Sequence, residues 1–215
     1  MLEKQIITLF SKRRLEGYHS FQEHEDNFYL IATIARKIGV LEVVIRNKID
    51  TILSQQDSQW IILLLGKGFE SLKATDILAR QSLGFWVRVV EHYKIANNVF
   101  HETFLDALDF KKYYAKNPKR FPHTHIMRHQ KGIILLKLLH LLRNRAFHFE
   151  NLYKMNKNGP RLSVTIHNSK NEKLIFSLEP TKVNLFLDDM LMSFDGGLLN
   201  YGSGDKCPLE RKGIL

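Results

Sequence analysis

The chain has 215 residues, 44% hydrophobic and 25% charged, a balance that excludes a disordered chain and is long enough to bury a core without staples. One large domain, alone or with a small appendage, is the expected organisation. Lys plus Arg number 32 against 22 Asp plus Glu, a net charge of +10, and the single cysteine, Cys207, excludes an intrachain disulfide framework and a cysteine-built zinc finger and suits a reducing compartment.

Most of the chain has helical periodicity. Leu2 to Leu15 places Ile6, Ile7, Leu9 and Phe10 in an amphipathic pattern that Gly17 interrupts. From Phe21 to Leu53 a long helical stretch carries Phe28, Ile31, Ile34, Ala35 and Ile38 on one stripe, continued by Leu41, Val44, Ile45, Ile49 and Ile52, with Gly39 as a candidate break or bend. Ser58-Gln59-Trp60 opens a shorter apolar segment that ends at Gly66-Lys67-Gly68. Asp76 is a candidate cap for a helix over Ile77 to Arg80, Ser82 for one reaching Tyr93, and Asn97 or Asn98 for the next. Lys111 to His125 reads as a loop, because Pro118 and Pro122 forbid an uninterrupted helix. Ile126 to Tyr153 is the most apolar helix; its Ile133–Leu142 run leaves little polar face, so it should be buried on several sides, as the centre of a bundle or a dimer interface. The period then changes to two: Leu162, Val164 and Ile166, then Leu174, Phe176 and Leu178, flank Asn168-Ser169-Lys170-Asn171 and predict a β-hairpin. Pro180-Thr181 starts a last helix bearing Val183, Phe186, Leu187, Met190 and Leu191, and glycines 196, 197, 202 and 204 suggest a flexible tail.

No segment reads as a membrane span. The longest uninterrupted apolar stretch, Trp60 to Leu65, falls far short of the roughly 20 residues needed. Lys12-Arg13-Arg14 follows the first apolar residues, where a secretory signal would place charge before them, and no cysteine stands four from the last residue for prenylation. A cytoplasmic protein with no membrane partner is expected.

The positive charge is unevenly spread. Residues 1–110 carry 13 basic and 14 acidic side chains, residues 111–131 carry 7 basic and none acidic, residues 132–154 add +3, and residues 155–215 add +1. A basic block suggests a polyanionic partner; the alternative is a solvated lysine-rich loop. Within the block, Lys111, Lys112, Lys116, Lys119 and Arg120 interleave with Tyr113, Tyr114 and Phe121. Phosphate neutralisation with base stacking is how single-stranded RNA is held; aromatics anchoring a connecting loop is the competing reading. His123, His125 and His129 are spaced like zinc ligands, but no thiol or acid accompanies them and seven cations surround them, so ordinary surface histidines are expected, with no metal and no cofactor.

The polar end of the apolar helix reads Arg143-Asn144-Arg145-Ala146-Phe147-His148-Phe149-Glu150. Asn144 and His148 lie about 40° apart on a helix, so the amide is a candidate to hold the imidazole. Arg143 and His148 lie about 140° apart, so one helix does not focus both on one atom, whereas two helices meeting across a two-fold axis do. The competing reading is an arginine-rich helix end that caps carbonyls and pairs with Glu150.

Arg143-Asn144-x-x-x-His148 resembles the signature of HEPN-domain ribonucleases, an Arg followed by a polar residue and then His. Leu41-Glu42-Val43-Val44-Ile45-Arg46-Asn47 is similar to the Leu-Glu-Val-x-x-Arg-Asn helix of Abi-like (abortive infection) proteins, and Leu83-Gly84-Phe85-Trp86-Val87 to their Phe-Gly-Phe-Trp segment. The three occur in family order across residues 25 to 155. Phe147 stands where such proteins often have a small residue, Phe149 where many have a second His, and Arg145 adds a charge inside the motif. Arg46-Asn47 has no His at the required distance, so Glu42 and Arg46 are expected to support the site or pair with each other on the helix.

The resemblance implies an all-α HEPN core, so the expected fold is mainly α: a HEPN-like helical bundle over residues 1–155, with two parts outside the resemblance, a β-hairpin plus helix appendage packed on it over 156–195 and a flexible tail over 196–215. It implies a homodimer whose two motifs share one cleft and a metal-independent endoribonuclease, a toxin or abortive-infection effector in phage defence. His148 would be general acid or base, Arg143 would stabilise charge on the scissile phosphate, and Asn144 would position His148. The loop cations with Tyr113 and Tyr114, and Arg145, would bind RNA, and an antitoxin or regulatory RNA is a further expected partner. The rival is a non-catalytic module that holds a regulatory RNA or a partner protein. A sequence-specific DNA-binding regulator is disfavoured, since no helix-turn-helix is recognisable.

Overall fold

A computed structural model describes residues 2–66, 68, 72–121, 125–168 and 170–204. The fold is mainly α. Its first half holds α1 (Leu2–Phe10), α2 (Lys12–Leu15), α3 (Phe21–Ser54), α4 (Trp60–Leu65), α5 (Ala74–Ala79), α6 (Leu83–Tyr93), α7 (Ala96–Val99) and α8 (Glu102–Ala107). A 3-10 turn over Phe110–Lys112 leads to α9 (Arg128–Phe147), which is followed by β1 (Met155–Asn156), β2 (Gly159–Pro160), β3 (Ser163–His167) and β4 (Lys173–Ser177). A second 3-10 turn, Pro180–Lys182, opens into α10 (Val183–Phe194) and α11 (Gly197–Ser203). No helix among the described residues is long and apolar enough to cross a membrane.

Two long helices organise the core. In α3 the Ser20 hydroxyl accepts the Glu23 N–H at 3.1 Å, and buried residues recur every three or four positions from Leu30 to Leu53. Gly39 does not break it; a side chain there would meet nothing within 4 Å, so the position tolerates glycine without needing it. In α9 the leucines at 135, 136, 138, 139 and 142 are all buried, as its even apolarity requires, and the helix packs against α3, α6, α7 and β3. Each such leucine contributes about 1.5–3 kcal/mol relative to exposure. It starts at Arg128, after Ile126, where the Gln130 side chain accepts the Met127 N–H at 2.9 Å.

Helix α6 begins where Ser82 accepts the Phe85 N–H. Gly84 sits directly beneath His140 of α9: a Cβ there would lie 2.7 Å from His140 Nε2. The glycine of the aromatic segment is therefore a packing requirement between these two helices. The predicted hairpin forms, with Val164 opposite Phe176 and Ile166 opposite Leu174; Ser169 lies outside the described residues. Helix α10 lays Phe186, Leu187, Met190 and Leu191 into the core and is tied to α3 by the half-buried Lys37–Asp188 pair at 2.7 Å.

Other expectations are corrected. Lys73, not Asp76, precedes α5, and Asp76 sits in its first turn. Asn97 and Asn98 lie inside α7, and the following helix α8 is capped by His101, whose Nδ1 accepts the Thr103 N–H. The segment expected to be tail is helical over Gly197–Ser203, where Gly202 comes close to Leu191 and Arg36 donates to the Tyr201 carbonyl at 2.7 Å. Residues 205–215, with Cys207, lie outside the described residues.

Candidate nucleic-acid interface

The motif residues at the end of α9 fall into two neighbourhoods. Arg143 points toward α3, where its Nε donates to Glu42 Oε2 at 3.3 Å, and its guanidinium lies 5.3 Å from the Phe147 ring centre. Glu42 is thus engaged with Arg143 across helices rather than with Arg46 along its own; Arg46 Nε instead donates to Asn47 Oδ1. Val43 and Phe147 stay exposed beside this pair.

Asn144 does not hold His148. Its Nδ2 donates to His140 Nε2 at 2.9 Å, one turn back along the helix. The physical reason lies at the helix end: α9 terminates at Phe147, and His148 is a C-cap with φ −93° and ψ 5°, outside the helical register that would stack it over Asn144. His140 was not singled out from the sequence. Burial, then Arg143 and Arg88, hold its pKa below the ordinary histidine value, so the neutral ring accepts the Asn144 amide proton. It lines a cleft of about 420 Å³ with Arg88, Asn144, Ser163 and Thr165.

His148 is exposed and lines a different, larger cleft of about 550 Å³ between α2 and the turn that follows α9. Arg13, Arg14, Lys154 and Arg161 bring positive charge to this cleft, and Glu150 is its one carboxylate among the described residues. Arg14 anchors the arrangement: its Nη2 donates to the Phe149 carbonyl at 2.7 Å and, at 3.4 Å, to the carbonyl of His148, the C-cap of α9. Phe149 takes φ +52°, the left-handed conformation that ends the helix, and its ring stacks on Phe28 with centres 5.3 Å apart.

No family model matches the chain, and no curated protein or solved structure matches it.

Two buried asparagines, neither visible as special in the sequence, shape the floor of the larger cleft. Asn27 Nδ2 donates to the Tyr18 hydroxyl and to the Glu150 carbonyl, while its Oδ1 accepts the Leu152 N–H at 2.8 Å. Asn151 Nδ2 donates to the Gly17 carbonyl and Glu23 Oε1, and its Oδ1 accepts the Tyr153 N–H. Together they fasten the Tyr18 segment and the start of α3 to the chain leaving α9. Arg145, expected to bind RNA, is turned inward and paired with Glu150 at 2.6 Å, and Arg161 meets the same carboxylate.

The basic loop is also corrected. Tyr113 is fully buried, donates to Asp189 Oδ2 at 2.8 Å and packs edge-on against Phe186, so it is not free to stack on a base. Burial and the Asp189 carboxylate raise its pKa well above the ordinary phenol value. Phe121 is buried and Tyr114 half-buried. Buried Asn117 pins the loop to β4, donating to the Phe110 and Ser177 carbonyls and accepting the Ser177 N–H. The aromatics thus serve as loop anchors. Much of the loop's charge is met as well: Lys112 pairs with Asp189, Lys119 with Asp109, and Arg128 with Glu102 and Asp106, while Lys131 donates to the carbonyls of Leu105 and Leu108. Lys111, Lys116 and Arg120 are exposed and make no side-chain pair among the described residues. His125 and His129 are exposed, His123 lies outside the described residues, and no group of three His, Cys, Asp or Glu among the described residues is placed to hold a metal ion.

Proposed function

We propose that the chain is a metal-independent endoribonuclease of the HEPN type, acting in the cytoplasm as a toxin or abortive-infection effector. The observation that carries this reading is the placement of His148: exposed, at the end of a buried helix that also bears Arg143 and Asn144, and lining a cleft with Arg13, Arg14, Lys154 and Arg161. A histidine titrates near neutrality and can move protons either way, and arginines grip phosphate oxygens while staying charged.

In the proposed reaction His148 removes the proton from a ribose 2′-hydroxyl, or delivers one to the departing 5′-oxygen. The 2′-oxygen attacks phosphorus, the P–O5′ bond breaks, and a 2′,3′-cyclic phosphate and a 5′-hydroxyl result. Within one chain Arg143 faces α3 and does not line the His148 cleft. The reading therefore includes a homodimer in which Arg143 of one copy leaves Glu42 to stabilise phosphate charge beside His148 of the other. Exposed Val43 and Phe147, flanking Arg143, suit that contact.

The test is incubation of the purified protein with RNA in EDTA. Cleavage should proceed, and His148→Ala should reduce it roughly 10²–10⁴-fold. No cleavage by the wild type, or equal cleavage by the variant, would overturn the catalytic reading. A second reading, a module that holds a regulatory RNA or partner protein without cutting, is favoured by one observation: Arg143 is occupied by Glu42 and Asn144 by His140. It predicts salt-sensitive RNA binding that His148→Ala leaves intact, with no cleavage by either protein.

A further inference from the structure

The cleft beside His148 has the makings of a nucleotide site. Of its cations, Arg13 and Lys154 are exposed, and their side chains make no hydrogen bond or ion pair among the described residues. Arg161 shares the Glu150 carboxylate with Arg145, so two guanidiniums meet one negative charge and the group stays net positive. An aromatic surface adjoins the charge: Phe149 stacks on Phe28 through one face and remains 43% exposed. The volume, about 550 Å³, lies within the range of sites that enclose small ligands, roughly 300–1,000 Å³.

We propose that this cleft binds one nucleotide unit of single-stranded RNA, its phosphate between Arg13, Lys154 and Arg161 and its base stacked on the outer face of Phe149. The choice of RNA as the polyanion rests on the ribonuclease reading; the phosphate and stacking chemistry rests on the cleft itself. A run of Asp and Glu side chains would satisfy the cations but offers no flat ring for Phe149, which is why a nucleotide fits better. The phosphodiester next along the strand would then lie at His148, so the α1–α2 arm becomes part of the RNA surface. Arg14 contributes differently: bonded to the Phe149 carbonyl, it holds the arm and the stacking ring in one piece.

The test is fluorescence anisotropy of the full chain with a labelled, 2′-O-methylated single-stranded RNA that resists cleavage, across a salt series. Arg13→Gln/Lys154→Gln should weaken binding by about tenfold or more and lower the salt slope by roughly 1.4, at about 0.7 per phosphate contact on a single strand. Phe149→Leu should weaken binding by about tenfold through lost stacking while leaving that slope unchanged. Lys111→Gln/Lys116→Gln, in the exposed part of the basic loop, should change affinity less than twofold. Circular-dichroism melting confirms that each variant is folded. Unchanged affinity and slope in the Arg13/Lys154 variant would overturn the inference, as would a larger loss in the Lys111/Lys116 variant or equal competition by polyglutamate. If RNA binding depends on Arg13 and Lys154 but the wild type does not cleave, the ribonuclease reading falls and the cleft stands. If His148-dependent cleavage occurs while binding ignores these residues, the cleft falls alone.

Discussion

Asn27→Ala is the sharpest test of how the cleft is built. Asn27 is fully buried, and its amide serves the Tyr18 hydroxyl, the Glu150 carbonyl and the Leu152 N–H. The Leu152 N–H is itself buried, so removing its acceptor should cost about 1–3 kcal/mol. Tyr18 and Glu150 are partly exposed and can turn to water, which reduces each of those losses to about 0.5–1.5 kcal/mol. The sum is roughly 2–6 kcal/mol. At about 2–4 °C per kcal/mol for a chain of this size, melting should fall by roughly 4–24 °C. Urea denaturation followed by circular dichroism gives the free energy directly. Because the same amide ties the Phe149 turn to α3, RNA affinity should fall as well, although Asn27 is buried beneath the proposed ligand surface. A loss below about 1 kcal/mol would show that these hydrogen bonds do not hold the two segments together, and the account of the cleft floor would be wrong.

Gly84→Ala puts a Cβ 2.7 Å from His140 Nε2, so it should destabilise the fold by about 1–3 kcal/mol. His140→Ala removes the obstacle, and the double-mutant cycle should show a coupling of roughly 0.5–3 kcal/mol; strictly additive losses would refute the proposed steric contact. The chain should also lose stability on acidification. Burial foremost, helped by Arg14 at His24 and by Arg143 and Arg88 at His140, holds both histidines below their ordinary pKa. The unfolded chain therefore binds protons near pH 6.5 where the folded one does not, so stability is full above that pH and falls as pH drops through it. Urea midpoints from about pH 7.5 to about pH 5.5 should decline, and less steeply in His140→Gln, which keeps an acceptor for Asn144. A flat or rising midpoint would contradict the assignment.

Much of the fold was legible because local signals agreed with one another. The apolar periodicity of α3, the Ser82 cap of α6, the leucine-rich α9 and the alternating residues of the hairpin each report a pattern that burial then enforces. Where the reading missed, a tertiary contact outweighed a weak local signal. Glycines 196 and 197 suggest flexibility, yet packing on α3 and α10 keeps Gly197–Ser203 helical. Asn97 and Asn98 are good caps in isolation, but the chain turns at Phe100 and His101 takes that role for α8. The one-face relation between Asn144 and His148 fails because α9 ends a residue before His148.

The site divides along the same line. From sequence alone follow the buried helix, the Arg143-Asn144-x-x-x-His148 string at its end and the surplus of positive charge, because each is a property of neighbouring residues. Which positive charges stay available is decided only in three dimensions. Folding brings Asp109, Asp189, Glu102 and Asp106 onto Lys119, Lys112 and Arg128, so much of the most basic stretch of sequence is met within the protein. It carries Arg13 and Arg14, from a half of the chain with no net positive charge, to Lys154 and Arg161 beside His148. Charge runs are local, but the pairing that neutralises or spares them depends on distance through space, and that distance is set by how the helices pack.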